Sequence, residues 1–213
     1  MRRGPIASSL PLLLLAAACG GAAAQTSPGP FDSVTGYTAQ GVDLNLREVP
    51  GAIFGQGWNR ESSYFTGLGA GKTMGTLGGS IDFLRSTYIE NIQHGYELVL
   101  LQHRGRQSNV ELGAAYMLRS PNLEIAQLRI NAAGGIGLSH AFGTPSYEDG
   151  PKDDPSRRYR TQMLLLLEAE WSWASLPDWS LVTRIHHRSG AYGLIAPRHV
   201  GSNFIVAGVR YRF

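Results

Sequence analysis

Residues 202–213 read Ser-Asn-Phe-Ile-Val-Ala-Gly-Val-Arg-Tyr-Arg-Phe, and they alternate. Asn203, Ile205, Ala207, Val209, Tyr211 and Phe213 share one face; Ser202, Phe204, Val206, Gly208, Arg210 and Arg212 share the other. Period two is the mark of a strand, because successive Cβ atoms point to opposite sides of a sheet. With two arginines on one face and two aromatics on the other, this strand separates two different environments.

The same pattern repeats upstream. From Trp179 to Ser189 the odd positions Trp179, Leu181, Thr183, Ile185, His187 and Ser189 oppose Arg184, His186 and Arg188. From Tyr159 to Trp173 the odd face is largely apolar, and Arg160, Gln162, Glu168 and Glu170 lie opposite. Leu128 to His140 sets Leu128, Ile130, Ala132, Gly134, Ile136 and Leu138 against Arg129, Asn131 and Ser139. Val110 to Leu118 sets Val110, Leu112, Ala114, Tyr116 and Leu118 against Asn109, Glu111 and Arg119. Tyr96 to His103, Glu61 to Gly71 and Tyr37 to Leu46 are weaker strands, which brings the expected count to eight. Ten is the alternative, if the Gly-rich stretch Gly67 to Gly79 and the following Ser80 to Ile89 hold two separate strands.

Each strand alone fits either a soluble sandwich or a membrane barrel. The start of the chain separates them. Arg2 and Arg3, the apolar run Leu10 to Ala18 and then Ala22-Ala23-Ala24 before Gln25 have the layout of a secretory signal over 1–24. A flexible leader over 25–35 and a barrel domain over 36–213 follow. Beyond the signal no stretch approaches the ~18–20 apolar residues of a spanning helix, so any crossing is by strands. Strands near the nine to eleven residues of a tilted membrane strand, tryptophans at strand ends and the terminal Phe213 all favour the barrel. The expected fold is an all-β, antiparallel, up-and-down transmembrane β-barrel in the outer membrane, with the polar faces inward.

Within that barrel, Arg160, Arg184, Glu168, Glu170 and Glu111 are read as a structural charge network in a side-chain-filled lumen. If Phe213 ends at the periplasmic side, the links Ala174 to Asp178 and Ser120 to Ile125 lie below. The polar segment Phe142 to Arg158 and Gly190 to Gly201 lie outside.

Composition removes several functions. The 213 residues carry 19 Lys+Arg against 16 Asp+Glu, and discounting Arg2 and Arg3 brings the two to within one. A nucleic-acid surface is not indicated. The one cysteine, Cys19, falls within the signal, so the exported chain is expected to have neither disulfides nor a thiol nucleophile. If it is acylated instead, it adds a lipid anchor. Gly71-Lys72-Thr73 is not the end of a phosphate loop, because Thr66 stands where that pattern needs glycine. The six histidines lack metal-ligand spacing, and no metal is expected.

One feature stands out against the pattern. His187 and Ser189 lie two apart on the face that carries Trp179, Leu181 and Ile185, the face turned to lipid. An imidazole within reach of a hydroxyl can take its proton and make it a nucleophile. Two polar residues at the point where a strand leaves the hydrocarbon are an equally simple account. His187-Arg188-Ser189-Gly190-Ala191, then Pro197, Gly201-Ser202 and the closing strand, resembles the C-terminal region of the outer-membrane lipid A 3-O-deacylases. Members of that family are eight-stranded barrels with a His-x-Ser-Asn motif on the penultimate strand and a Glu at the start of the last one. The resemblance implies a cofactor-free esterase that cuts a 3-hydroxyacyl chain from lipid A at the lipid-facing surface. Ser189 would be its nucleophile and His187 its base.

Two positions depart from the family. Gly190 replaces the Asn, and the family's Glu falls at or near Gly201. Asn203, on the lipid-facing register of the next strand, is the candidate orienter of His187. Arg188, Arg198 and Arg158, together with Arg157, are candidate holders of lipid phosphates. The expected partner is lipid A or another outer-leaflet lipid. Against the esterase stand a non-enzymatic structural or loop-binding barrel and a small-solute pore.

Overall fold

The computed structural model describes residues 29–44, 48, 57, 59–77, 81–83, 87–89, 91–148 and 159–213. The expected signal over 1–24 lies outside them. The strands are β1 (Ser33–Asp43), β2 (Asn59–Thr76), β3 (Ile81–Phe83), β4 (Thr87–Ile89), β5 (Gln93–Gly105), β6 (Ser108–Arg119), β7 (Leu123–Ile125), β8 (Leu128–Thr144), β9 (Thr161–Trp173), β10 (Leu176–Ser189) and β11 (Gly201–Arg212).

Each long strand pairs antiparallel with its sequence neighbour. β1 closes the ring on β11, Ser33 facing Arg212 and Gly41 facing Phe204. The result is a closed eight-stranded barrel of β1, β2, β5, β6, β8, β9, β10 and β11, with β7 as a short extension alongside β8. Closure leaves each of the eight wall strands paired on both sides, as a hydrocarbon environment demands, with register shifts at Gln40/Val42, Thr73/Gly75 and Leu176/Ser180.

The ten-strand alternative is corrected. Gly67 to Gly75 belong to the single strand β2, and β3 and β4 form a separate two-stranded hairpin outside the barrel wall. β1 also begins at Ser33, so residues 33–35 are wall and not leader. The connection spanning 77–92 joins the periplasmic ends of β2 and β5, and β5 meets β6 at the outer end through Arg106 and Gln107 alone. Short turns below and long loops above therefore hold for only part of the ring.

The faces fall as the alternation dictates. Leu98, Leu100, Leu112, Tyr116, Ile136, Leu138, Leu167, Leu181 and Val209 stand exposed on the outside, while Glu97, Glu111, Glu168, Glu170, Arg184, Arg188 and Arg210 are buried inside. An apolar outside around a charged inside is the reverse of a soluble protein and fits a bilayer. At the periplasmic end Trp179 packs on Tyr211 at 4.8 Å, and Tyr211 lies 6.2 Å from Phe213, forming part of an interfacial aromatic belt.

The interior has three layers. In the lower one Arg184 donates to both oxygens of Glu97 at 2.6 and 2.8 Å and to Glu168 at 3.0 Å. Arg210 bridges Glu168 and Glu170 at 2.7 and 2.6 Å, and Arg119 does the same at 2.8 and 2.5 Å. Arg212 adds a bond to Glu170, and Tyr37 donates to Glu97 at 3.0 Å beneath the Arg184 guanidinium. The middle layer is apolar: Phe65, Val99, Leu101, Leu164, Leu166, Val182, Phe204 and Val206.

The upper layer is polar again. His103 Nε2 and His186 Nε2 donate to the two oxygens of Glu111 at 2.8 and 3.0 Å. Gln107 Nε2 lies 2.9 Å from His103 Nδ1 and donates to Glu148 Oε1 at 3.1 Å. The expected single network is thus two, separated by hydrocarbon. Glu111 belongs to the upper one, and Arg160 to neither, since its side chain is exposed and it contributes its carbonyl.

Candidate functional site

β10 rises to its outer end as Ile185, His186, His187, Arg188, Ser189. Register pairs His187 with Asn203, Arg188 with Ser202 and Ser189 with Gly201 across β11. On the other side His187 faces Leu165 and Ser189 faces Met163 of β9. Alternation sends His186 and Arg188 into the lumen and leaves His187, Ser189 and Asn203, all partly buried, on the outer surface.

There His187 and Asn203 meet. His187 Nδ1 lies 2.7 Å from Asn203 Oδ1, and Asn203 Nδ2 donates to the Leu44 carbonyl at 2.7 Å. The second bond fixes the amide: its nitrogen serves Leu44, so its oxygen accepts from His187. Nδ1 therefore carries the proton, and the lone pair of Nε2 is free to act as a base. No hydrogen bond joins Ser189 to His187 among the described residues. Two apart on a strand, they are ~6.6–7 Å apart at Cα, a gap that side-chain lean can span.

The segment after Ser189 is tightly closed. The Gly190 carbonyl accepts from Gly193, Ile195 and Ala196 at 3.1, 3.0 and 3.2 Å, and its N–H donates to Val200 at 3.2 Å. A Cβ at 190 would collide with the Ala196 carbonyl, so an asparagine has no room there. Gly201 has φ +153, and a side chain on it would strike the Arg188 carbonyl. The family's carboxylate therefore has no place at 201 in this backbone.

Ala191 and Tyr192 both adopt left-handed conformations, φ +50 and +57, directly after right-handed Gly190. A right-handed residue followed by left-handed ones converges successive N–H groups into an anion-binding concavity. At about 1–2 kcal/mol per L-residue, this strain has to be repaid by the surrounding turn. At the loop's tip Tyr192 and Leu194 are 79% and 89% exposed, the two most exposed large apolar side chains described.

The expected phosphate holders part company. The expectation for Arg188 is corrected: its guanidinium is fully buried in the lumen, donating to Ser139 at 2.8 Å, to the Arg160 carbonyl at 2.9 Å and to Glu148. The alternation that puts Ser189 outside puts Arg188 inside. Arg198 is exposed on the 190–200 loop and donates to the Tyr192 carbonyl at 3.3 Å. Arg158, like Arg157, lies outside the described residues.

Sequence reasoning missed Glu148. It counts among the acidic residues of a segment expected to lie outside, yet it is buried in the lumen. Pro145, whose carbonyl accepts from Glu148 N at 2.9 Å, signals the turn that sends it there. Burial pushes the neighbouring Tyr147 phenol up to about 12, so this ring, packed against Phe204 and Arg106, stays neutral.

A closed, inside-out barrel of eight strands with both terminal strands paired is an outer-membrane β-barrel. Among solved structures, the chain is similar to the outer membrane enzyme PagL, at 12% identity and a TM-score of 0.54, over 84% of this chain and 99% of that one. It also matches Neisserial surface protein A (NspA), at 14% identity and a TM-score of 0.44, over 85% of this chain and 96% of that one. At these identities the likeness is one of fold. No protein-family model matches the sequence, and no curated protein does.

Proposed function

We propose that this barrel is an outer-membrane esterase that removes a 3-hydroxyacyl chain from lipid A or a related glycolipid. The reading rests on one observation: on the lipid-facing surface Asn203, itself held by Leu44, accepts the Nδ1 proton of His187 and leaves the Nε2 lone pair available on the strand face that also carries Ser189. The PagL structure, an outer membrane enzyme of the same fold, is consistent with it.

In the proposed reaction Ser189 Oγ attacks the ester carbonyl as His187 Nε2 takes its proton. His187 returns that proton to the departing sugar oxygen, giving an acyl-serine and a free sugar hydroxyl. Water, deprotonated by His187, then releases the hydroxy acid and restores the serine. The N–H groups of Ala191 and Tyr192 stabilise the oxyanion. Tyr192 and Leu194 meet the acyl chains, and Arg198 and Arg158 meet phosphate.

A second reading has its own support. The absence of a Ser189–His187 bond among the described residues suits a non-enzymatic barrel whose outer loops act. Mass spectrometry of lipid A from cells expressing the native chain or Ser189→Ala, at equal membrane levels, separates the two. Loss of one hydroxyacyl mass with serine only supports the esterase, and identical profiles support the second reading.

A further inference from the structure

Glu148 joins four side chains of the upper lumen. Its Oε1 accepts from Gln107 Nε2 at 3.1 Å and Ser202 Oγ at 2.8 Å, and its Oε2 from Gln162 Nε2 at 2.9 Å and from Arg188 Nη1. Its backbone carbonyl accepts from Gly201 N at 3.1 Å. One residue from the segment after β8 is thus tied to the β5–β6 turn, to β9, to β10 and to β11.

These partners are not scattered. The Arg188–Ser202 register pair lies between His187–Asn203 and Ser189–Gly201. Glu148 binds both members of the middle pair and the backbone of Gly201, opposite Ser189. On a strand, fixing a residue's backbone from one face also fixes the direction in which its neighbours project from the other. Arg188 is a rigid fork, and each of its three nitrogens is occupied.

We propose that Glu148 is a positioning residue for the outer-surface site: a clamp inside the barrel that sets the β10–β11 register and so the His187–Asn203 contact and the aim of Ser189 outside it. It touches no substrate. Its effect on turnover rests on the esterase reading, whereas its effect on the His187–Asn203 geometry does not.

The test uses the full chain in lipid vesicles, native and with Glu148→Gln, which keeps the volume but removes the nearer of the two carboxylate charges facing Arg188, Glu111 being the other at 3.7 Å. With 15N-histidine labelling, the hydrogen-bonded Nδ1–H signal of His187, assigned by its absence in His187→Gln, is expected in the native protein. It is expected to weaken or disappear in Glu148→Gln while circular dichroism stays native. Against vesicles containing lipid A, kcat for fatty-acid release is expected to fall by roughly ten- to a hundredfold with KM within about twofold, the pattern of misplacement rather than lost binding. An unchanged Nδ1–H signal in folded Glu148→Gln overturns the clamp. If Glu148→Gln does not fold, Ser202→Ala removes one bond and keeps the ion pair; a native signal there overturns the proposal and a weakened one supports it. If the native protein releases no fatty acid, the esterase reading falls and the imidazole signal alone decides the clamp.

Discussion

His187 and Asn203 are register partners on β10 and β11, and the imidazole donates across that register to an amide oxygen 2.7 Å away. Asn203→Leu removes the acceptor and fills the space with carbon, leaving either ring nitrogen free to carry the proton. Fatty-acid release is expected to fall roughly a hundredfold, within the range general-base catalysis contributes. Stability should fall by about 1–3 kcal/mol, the net value of the two hydrogen bonds lost, to His187 and to the Leu44 carbonyl. Parallel rate and urea-unfolding measurements check both.

Gly190→Asn and Gly201→Glu would bring the chain nearer the deacylase pattern on paper, yet both are expected to harm it. The first forces a side chain into the Ala196 carbonyl, and the second into the Arg188 carbonyl at a φ of +153. Heat-modifiable migration on gels should show less folded barrel in each variant, and no gain in hydrolysis.

Breaking the lower network is costly. Glu97 and Arg184 are both buried, and Glu97→Ala leaves the guanidinium with Glu168 alone among its two carboxylate partners. A loss of about 3–5 kcal/mol is expected from removing one partner of a buried pair. Urea unfolding in vesicles measures it.

Ile136 sits midway along β8 and is 57% exposed. In water Ile136→Arg would be nearly neutral. Facing a bilayer midplane it should cost about 2–4 kcal/mol. Comparing refolding into vesicles with refolding of Ile130→Arg, nearer the strand's end, should show the smaller penalty at the interface.

Period two was enough to place eight strands and to assign the faces of the five C-terminal ones, because one face of each strand meets lipid and a one-residue slip would reverse every side chain. It faltered where a face changes character along its length. Leu164 and Leu166 share the inward face of β9 with Gln162, Glu168 and Glu170, and a polar-lumen rule has no place for them until the middle layer is seen. Glu97 was overlooked for the same reason, as one carboxylate on an inward face that also holds Val99 and Leu101. At the outer site, alternation put His187, Ser189 and Asn203 on one surface, and register made His187 and Asn203 partners on adjacent strands. The Leu44 anchor comes from a loop that no local pattern ties to β11. Glu148 was hidden because a single acidic residue in a proline-rich loop looks the same whether it points to water or folds back inside.

The bonds of Glu148 also order the way the barrel can be assembled. The residue follows β8 in the chain, yet three of its side-chain partners, Gln162, Arg188 and Ser202, belong to strands that come after it. Until β11 has docked on β1, a hairpin carrying Glu148 or Arg188 exposes an ion whose transfer into hydrocarbon is penalised. Partly folded hairpins are thereby kept from entering the bilayer one at a time, and insertion is coupled to closure of the whole cylinder.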